Sequence, residues 1–191
     1  SDSILPQLLL QLVLIAVNAL FAATEIAVIS LNETKVRRMA EGGDRKAAKM
    51  LRMVTEPTGF LSTIQICITL AGFLGSAFAA DNFSDKLVNW LINDCGVSGV
   101  SPSALDTISV IIITLVLSYF TLVLGELVPK RIAMKRSESI ARAVSGLMIA
   151  MTAALRPIIW LLTVSTNGVL RLCGIDPEDN AEEVSEEEII M

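Results

Sequence analysis

Two carboxylates stand where chemistry is expected. Glu25 falls inside a long apolar run, and Glu126 belongs to the segment Gly125-Glu126-Leu127-Val128-Pro129-Lys130 at the end of another. An acid within a membrane-spanning segment is costly, so its default reading is functional. Pro129 has no N–H, so the carbonyl four residues back, that of Gly125, loses its usual helical donor. Gly125 has no side chain to cover that oxygen. The segment therefore sets an uncovered carbonyl beside a carboxylate, and oxygens of these kinds bind hard cations such as magnesium, calcium or sodium. A helix that merely stops at a proline near the membrane surface would read the same way.

Three polar stripes accompany these acids. Gln7, Gln11, Asn18 and Glu25 fall within about 40° of one another at helical periodicity, on one narrow face. Ser62, Gln65, Thr69, Gly72 and Ser76 share a face of the second apolar run, and Thr114, Ser118, Thr121 and Gly125 share a face of the third. Small and hydroxyl residues at such spacing also serve plain helix packing. Heights favour a site: Gln65 lies roughly 9 Å in from the basic end of its run. Glu25 and Gly125 belong to the same leaflet, so oxygens from three helices can converge there.

The elements that must hold these residues are membrane helices. Of the 191 residues, 53% are hydrophobic and only 18% charged. Apolar runs at 4–31, 59–80 and 108–128 each reach the ~20 residues that cross a bilayer as helix. A fourth, 143–174, is divided by Arg156-Pro157 into pieces too short to span comfortably, and reads as a re-entrant or juxtamembrane pair. Residues 32–58 carry seven Lys or Arg and residues 129–142 carry five, whereas 81–107 carry Lys86 alone. The basic loops belong in the cytoplasm, which puts the N-terminus outside and the C-terminus inside a cell (plasma or inner) membrane. Residues 33–54 predict two helices separated by Gly42-Gly43, the second capped by Asp44 and ended before Pro57. Residues 83–93 predict a short amphipathic helix on the outer interface. Ser185 with Glu188 forms a capping box that opens a further helix. The expected fold is thus an all-α membrane protein, with three transmembrane helices and a re-entrant or juxtamembrane helical segment per protomer.

The net charge of −5 comes from the end of the chain, whose last 16 residues carry eight acids and no base. The remainder is slightly basic, with no surface suited to nucleic acid. No histidine is present, which excludes His-based acid–base catalysis and the common zinc sites. Cys67, Cys95 and Cys173 are too scattered for a metal site or a disulfide framework. No nucleophile–base pair is visible, so an enzyme is not expected. Three helices leave too little surface to shield three polar stripes from lipid, so a homodimer is, with the second and third spans near its axis.

The order of these features resembles a known family. A first span with Phe21-Ala22-Ala23-Thr24-Glu25, a basic helical hairpin, a second span with Gln65-Ile66-Cys67-Ile68-Thr69-Leu70 and the Gly125–Lys130 segment followed by Arg131 look like the transmembrane domain of the CNNM/CorC magnesium transporters. The resemblance covers essentially the whole chain. It implies a homodimer, sodium-coupled magnesium export, and a cytosolic pair of CBS domains that binds ATP. Residues 1–175 would be the transmembrane domain, with juxtamembrane helices over about 131–174, and 176–191 an acidic linker toward the CBS pair. Gly125, Glu126, Thr24 and Thr69 fall on its ion site, with magnesium or sodium as the ion; Glu25 and Gln65 join them from the reading of heights. Where characterised members carry a Ser-Gly-Ser-like stretch and asparagines, this chain has Ala22-Ala23-Thr24, Ile68, Thr69 and Gly72. Such a site would suit a hydrated ion, another ion or an organic cation. The expected function is a cation transporter, most simply a magnesium exporter; the alternatives are an exporter of another cation such as a polyamine, and a membrane anchor or sensor for a CBS pair.

Overall fold

A computed structural model describes residues 4–177; the Ser185–Glu188 capping box lies outside them. Among the described residues there is no strand. Three continuous helical stretches, Leu5–Ile29, Pro57–Asn93 and Pro102–Lys135, are long and apolar enough to cross a membrane. Their outer faces carry exposed Leu8, Leu12, Phe73, Ile111, Leu115 and Tyr119, as lipid-facing surfaces do. The chain is a multi-pass membrane protein.

Helix α1 (Leu5–Ile29) opens at Pro6, whose fixed φ suits a first turn. Helices α2 (Glu33–Glu41) and α3 (Arg45–Thr55) form the expected hairpin. Asn32 caps α2 by accepting from Lys35 N–H, and Asp44 caps α3 by accepting from Lys46 and Ala47 N–H. Between them Gly43 takes φ 93°, a left-handed conformation that a side chain would strain. Helix α4 runs from Pro57 to Asn93. It therefore does not stop near residue 80, and the amphipathic segment 83–93 is its continuation rather than a separate interfacial helix. No Gly or Pro interrupts residues 76–93, and Asn82 donates back to the Phe78 carbonyl, within the helix. At 1.5 Å per residue α4 is roughly 55 Å long, well beyond a ~30 Å hydrocarbon core. Its far end is tied by Ser84, which donates to the Asp106 carboxylate, and by Lys86, which donates to Gln7 Oε1 at 2.9 Å.

Helix α5 (Pro102–Leu122), capped by Ser101, does not end at the proline motif either. It passes through a π-helical turn, Val123–Leu127, directly into α6 (Val128–Lys135). Helix α1 packs along α4 and against the π turn and α6, and α4 packs along α5. Helix α7 (Ser137–Ala154) is joined to the hairpin by two ion pairs, Lys35–Glu138 at 2.5 Å and Arg142–Asp44 at 2.7 Å.

Residues 4–149 form one compact unit, and a second begins at Ala150. In the latter, α8 (Arg156–Leu172) starts just after Leu155 and buries none of its side chains. The fourth apolar run is therefore broken at the place the Arg156-Pro157 pair predicts. It counts as a fourth span only if α7 and α8 are joined across that break.

Candidate cation cavity

The Gly125–Lys130 motif is built into the middle of a helical stretch rather than at its end. Pro129 cannot donate to the Gly125 carbonyl, and the chain absorbs the missing bond by widening: Val128 N–H bonds Val123, five residues back, instead of four. A π turn of this kind commonly marks a functional position. The Gly125 carbonyl is not left bare. Asn18, on α1, donates its Nδ2 to it at 2.9 Å. That approach favours glycine, because a Cβ at position 125 would crowd Asn18 Nδ2 at 3.1 Å, and the Ile15 carbonyl is already in contact distance at 3.5 Å. The sequence reading counted Asn18 in the α1 stripe but missed this role; the signal available was a buried amide in a lipid-spanning helix, which must find a partner.

One turn of the motif later, Lys130 Nζ meets Glu25 Oε2 at 3.2 Å. Glu25 thus ties α1 to α6. Its charge is matched by a neighbouring lysine, and it does not border the cavity described next.

The three polar stripes do converge. They line an open cavity of about 400 Å3 between α1, α4, α5 and the π turn. Gln11 and Asn18 enter from α1, Thr69, Gly72 and Ser76 from α4, Ser118 and Thr121 from α5, and Glu126 from the π turn. Glu126 is the only ionisable residue in this wall. It forms no ion pair among the described residues. The cavity accordingly offers one carboxyl group together with amides and hydroxyls in a wall that is otherwise mostly apolar, and an ionised carboxylate in low-dielectric surroundings attracts a cation.

Of the residues expected at a cation site, Thr69 and Glu126 line this cavity and Gly125 sits behind its wall, buried against Asn18. Thr24 is fully buried, and its hydroxyl donates to Leu20 within α1 at 2.7 Å. Gln65 is exposed and donates to Thr69 Oγ1 at 3.2 Å, one helical turn away. Thr24, Glu25 and Gln65 are therefore outside the set of residues the cavity brings together. Among the described residues, no three His, Cys, Asp or Glu side chains cluster closely enough to hold a metal by themselves. A metal ion here would depend on Glu126, on amide and hydroxyl oxygens, and on water.

A comparison with protein families finds a match to the cyclin M (CNNM) transmembrane N-terminal domain over residues 9–191. A UPF0053 protein of Synechocystis is 36% identical over 189 residues, covering 99% of this chain and 41% of its own length. The UPF0053 inner membrane protein YfjD of Escherichia coli is 29% identical over 160 residues, 83% of this chain and 33% of its own. The polyamine export protein of Haemophilus influenzae is 27% identical over 162 residues, 85% of this chain and 36% of its own. The chain thus spans less than half the length of these relatives.

Proposed function

The chain belongs to the CNNM family of transmembrane domains, and on that premise we propose that it is the membrane part of a transporter, not an enzyme, that moves a cation by way of the cavity at Glu126. The observation that carries this reading is Glu126, without an ion-pair partner among the described residues, in the wall of a cavity where the amides and hydroxyls of three membrane helices meet. A charge in such a place is stabilised by water or by a counter-ion, and the cargo supplies the counter-ion.

Magnesium export coupled to sodium is the specific form we propose. The Glu126 carboxylate and the hydroxyl and amide oxygens are hard ligands. Magnesium gives up its hydration shell reluctantly and keeps several waters when bound. At ~30 Å3 per water, 400 Å3 has ample room for a hydrated ion. The single carboxylate also supports a second reading, an organic ammonium cation such as a polyamine. The Haemophilus relative bears the name polyamine export protein. A bare membrane anchor or sensor for CBS domains would have no use for an acid beside amides and hydroxyls in a cavity between its spans. The working protein is proposed to be a homodimer with its N-terminus outside, and its ATP-binding CBS pair would lie in sequence beyond this domain.

Flux through the full-length protein in liposomes, with magnesium, sodium and putrescine as separate cargoes, tests the reading. Magnesium movement that requires a sodium gradient and is lost in Glu126→Gln supports it. Putrescine movement alone favours the second reading. Movement of none of the three leaves the anchor.

A further inference from the structure

Between Glu126 and Glu138 the chain carries four cations, Lys130, Arg131, Lys135 and Arg136, and no acid. Lys130 is taken up by Glu25. The other three are exposed and form no ion pair among the described residues. Arg131 and Lys135 are four residues apart on α6, so they share one face of the helix, where like charges repel and cost stability. Helix α6 holds no acid to offset that repulsion. Acids on neighbouring elements are already engaged: Glu33 pairs with Arg37, Asp44 with Arg142 and Glu138 with Lys35.

The helical stretch leading to these cations faces lipid, with exposed Leu122, Leu124 and Leu127. Val128 and Ile132 are exposed as well. Val128, Arg131 and Lys135 follow one another at spacings of three and four, so a single exposed stripe of α6 passes from apolar to basic within two turns. That change marks the level where hydrocarbon gives way to headgroups. Arg and Lys at this level lay their apolar stems along the acyl region and keep the charge among the headgroups. The far end of the bundle has no counterpart: residues 81–107 hold one cation, Lys86, and it donates to Gln7.

We propose that Arg131 and Lys135 bind the phosphate of an anionic phospholipid, in the leaflet on the side of the α2–α3 hairpin, with an acyl chain against Leu127, Val128 and Ile132. The site does not depend on the transport reading above. Charge complementarity selects the occupant. An anionic phospholipid brings the missing negative charge and an apolar chain in one molecule. A zwitterionic lipid would return a cation to the same place. A soluble anion has nothing to set against Val128 and Ile132, and a second copy of α6 would bring the same cations together. Helix α6 continues directly from the π turn, so the bound lipid would anchor the helix that carries Glu126.

The test is the melting temperature of the full-length protein in mixed micelles, titrated with phosphatidylglycerol against phosphatidylcholine of the same acyl chains. Phosphatidylglycerol should stabilise the protein, and less so at high salt. Arg131→Gln with Lys135→Gln should raise the half-saturating mole fraction about twentyfold, the scale of two interfacial cations. Exchanging the pair, Arg131→Lys with Lys135→Arg, keeps both charges and should keep the response. Arg45→Gln with Lys46→Gln removes two cations at the start of α3 and should shift the response far less. Size exclusion reports whether the neutralised variant is folded; if it is not, Arg131→Gln alone should give a shift of about fivefold. No preference for phosphatidylglycerol, or equal shifts in the two neutralised pairs, overturns the site. Stabilisation by glycerol phosphate in phosphatidylcholine alone overturns it in favour of a soluble anion. A changed oligomeric state in the Arg131→Gln, Lys135→Gln protein, with no lipid dependence, overturns it in favour of a second copy.

Discussion

The side-chain amide of Asn18 donates to the backbone carbonyl of Gly125 at 2.9 Å, across the contact of α1 with the π turn. The bond joins the first span to the helix that carries Glu126, and so fixes where that carboxylate faces. Asn18→Leu keeps the volume and removes the donor. It should destabilise the protein by roughly 1–3 kcal/mol, seen as a lower melting temperature in detergent. Gly125→Ala should cost a similar amount, about 1–3 kcal/mol of overpacking. The cause differs: its Cβ would lie 3.1 Å from Asn18 Nδ2. Combining Gly125→Ala with Asn18→Ala removes the crowding, so the pair should cost less than the two single changes together. Strict additivity would show that the residues do not meet.

Glu25 and Lys130 should behave as a coupled pair. Their side chains are 29% and 32% exposed at a separation of 3.2 Å, so screening limits the coupling to about 1 kcal/mol. In a double-mutant cycle, Glu25→Gln or Lys130→Met alone strands a charge within the helix bundle and should be worse than both together. If Glu25 served the cargo directly, Lys130→Met would instead spare stability while changing flux.

Much of this was open to reading from the residues. The hairpin helices, the Asp44 cap and the break at Arg156-Pro157 are local signals: a side chain acts on backbone a few residues away. The convergence of the stripes follows from periodicity, because polar faces in lipid must turn toward one another. Partners in other helices were not legible. Spacing along α1 places Glu25 on the polar face but says nothing of Lys130, the partner it meets on α6. Pro129 signals that Gly125 loses a helical donor, yet whether the helix ends, widens or borrows a donor depends on α1. The same gap hid the length of α4: Asp81 and Asn82 interrupt the apolar run and look like a break between two helices, and the ties from Ser84 and Lys86 to Asp106 and Gln7 hold the helix through it.

Acid should loosen the α2–α3 hairpin. The hydrogen bond from Arg142, with bonds from Ala47 and Lys46 N–H, holds the Asp44 carboxyl below its ordinary value of 3.8. A carboxyl with a depressed folded-state value stabilises fully above 3.8, and the contribution is lost as pH falls through the lower folded value. Hydrogen-exchange protection of the hairpin, taken relative to the intrinsic rate at each pH, should thus be constant from neutral pH down to mildly acidic conditions and fall in stronger acid. Asp44→Asn keeps a good helix cap but has no charge to lose. Its hairpin should exchange faster at neutral pH and lack the acid step. An equal acid step in both forms would assign the transition to another group.

Pro129→Ala is the sharpest probe of the cavity, since it changes no charge and no group in the cavity wall. The substitution gives residue 129 an N–H and removes the reason for the π turn. Alanine is the better helix former, so the protein should stay folded and its melting temperature should not fall. The Gly125 carbonyl would then have a donor within its own helix competing with Asn18, and the Glu126 carboxylate would turn with the relaxing backbone. Glu126→Gln does the opposite, keeping the shape and removing the charge. If a cation uses this site, both variants should weaken ion-dependent stabilisation and flux. Pro129→Ala should do so by about tenfold, the scale of one charge-assisted contact, and Glu126→Gln by more. Should both variants keep full flux and full stabilisation while remaining folded, Gly125–Lys130 would be a helical joint and nothing more, and the cation would have to pass elsewhere.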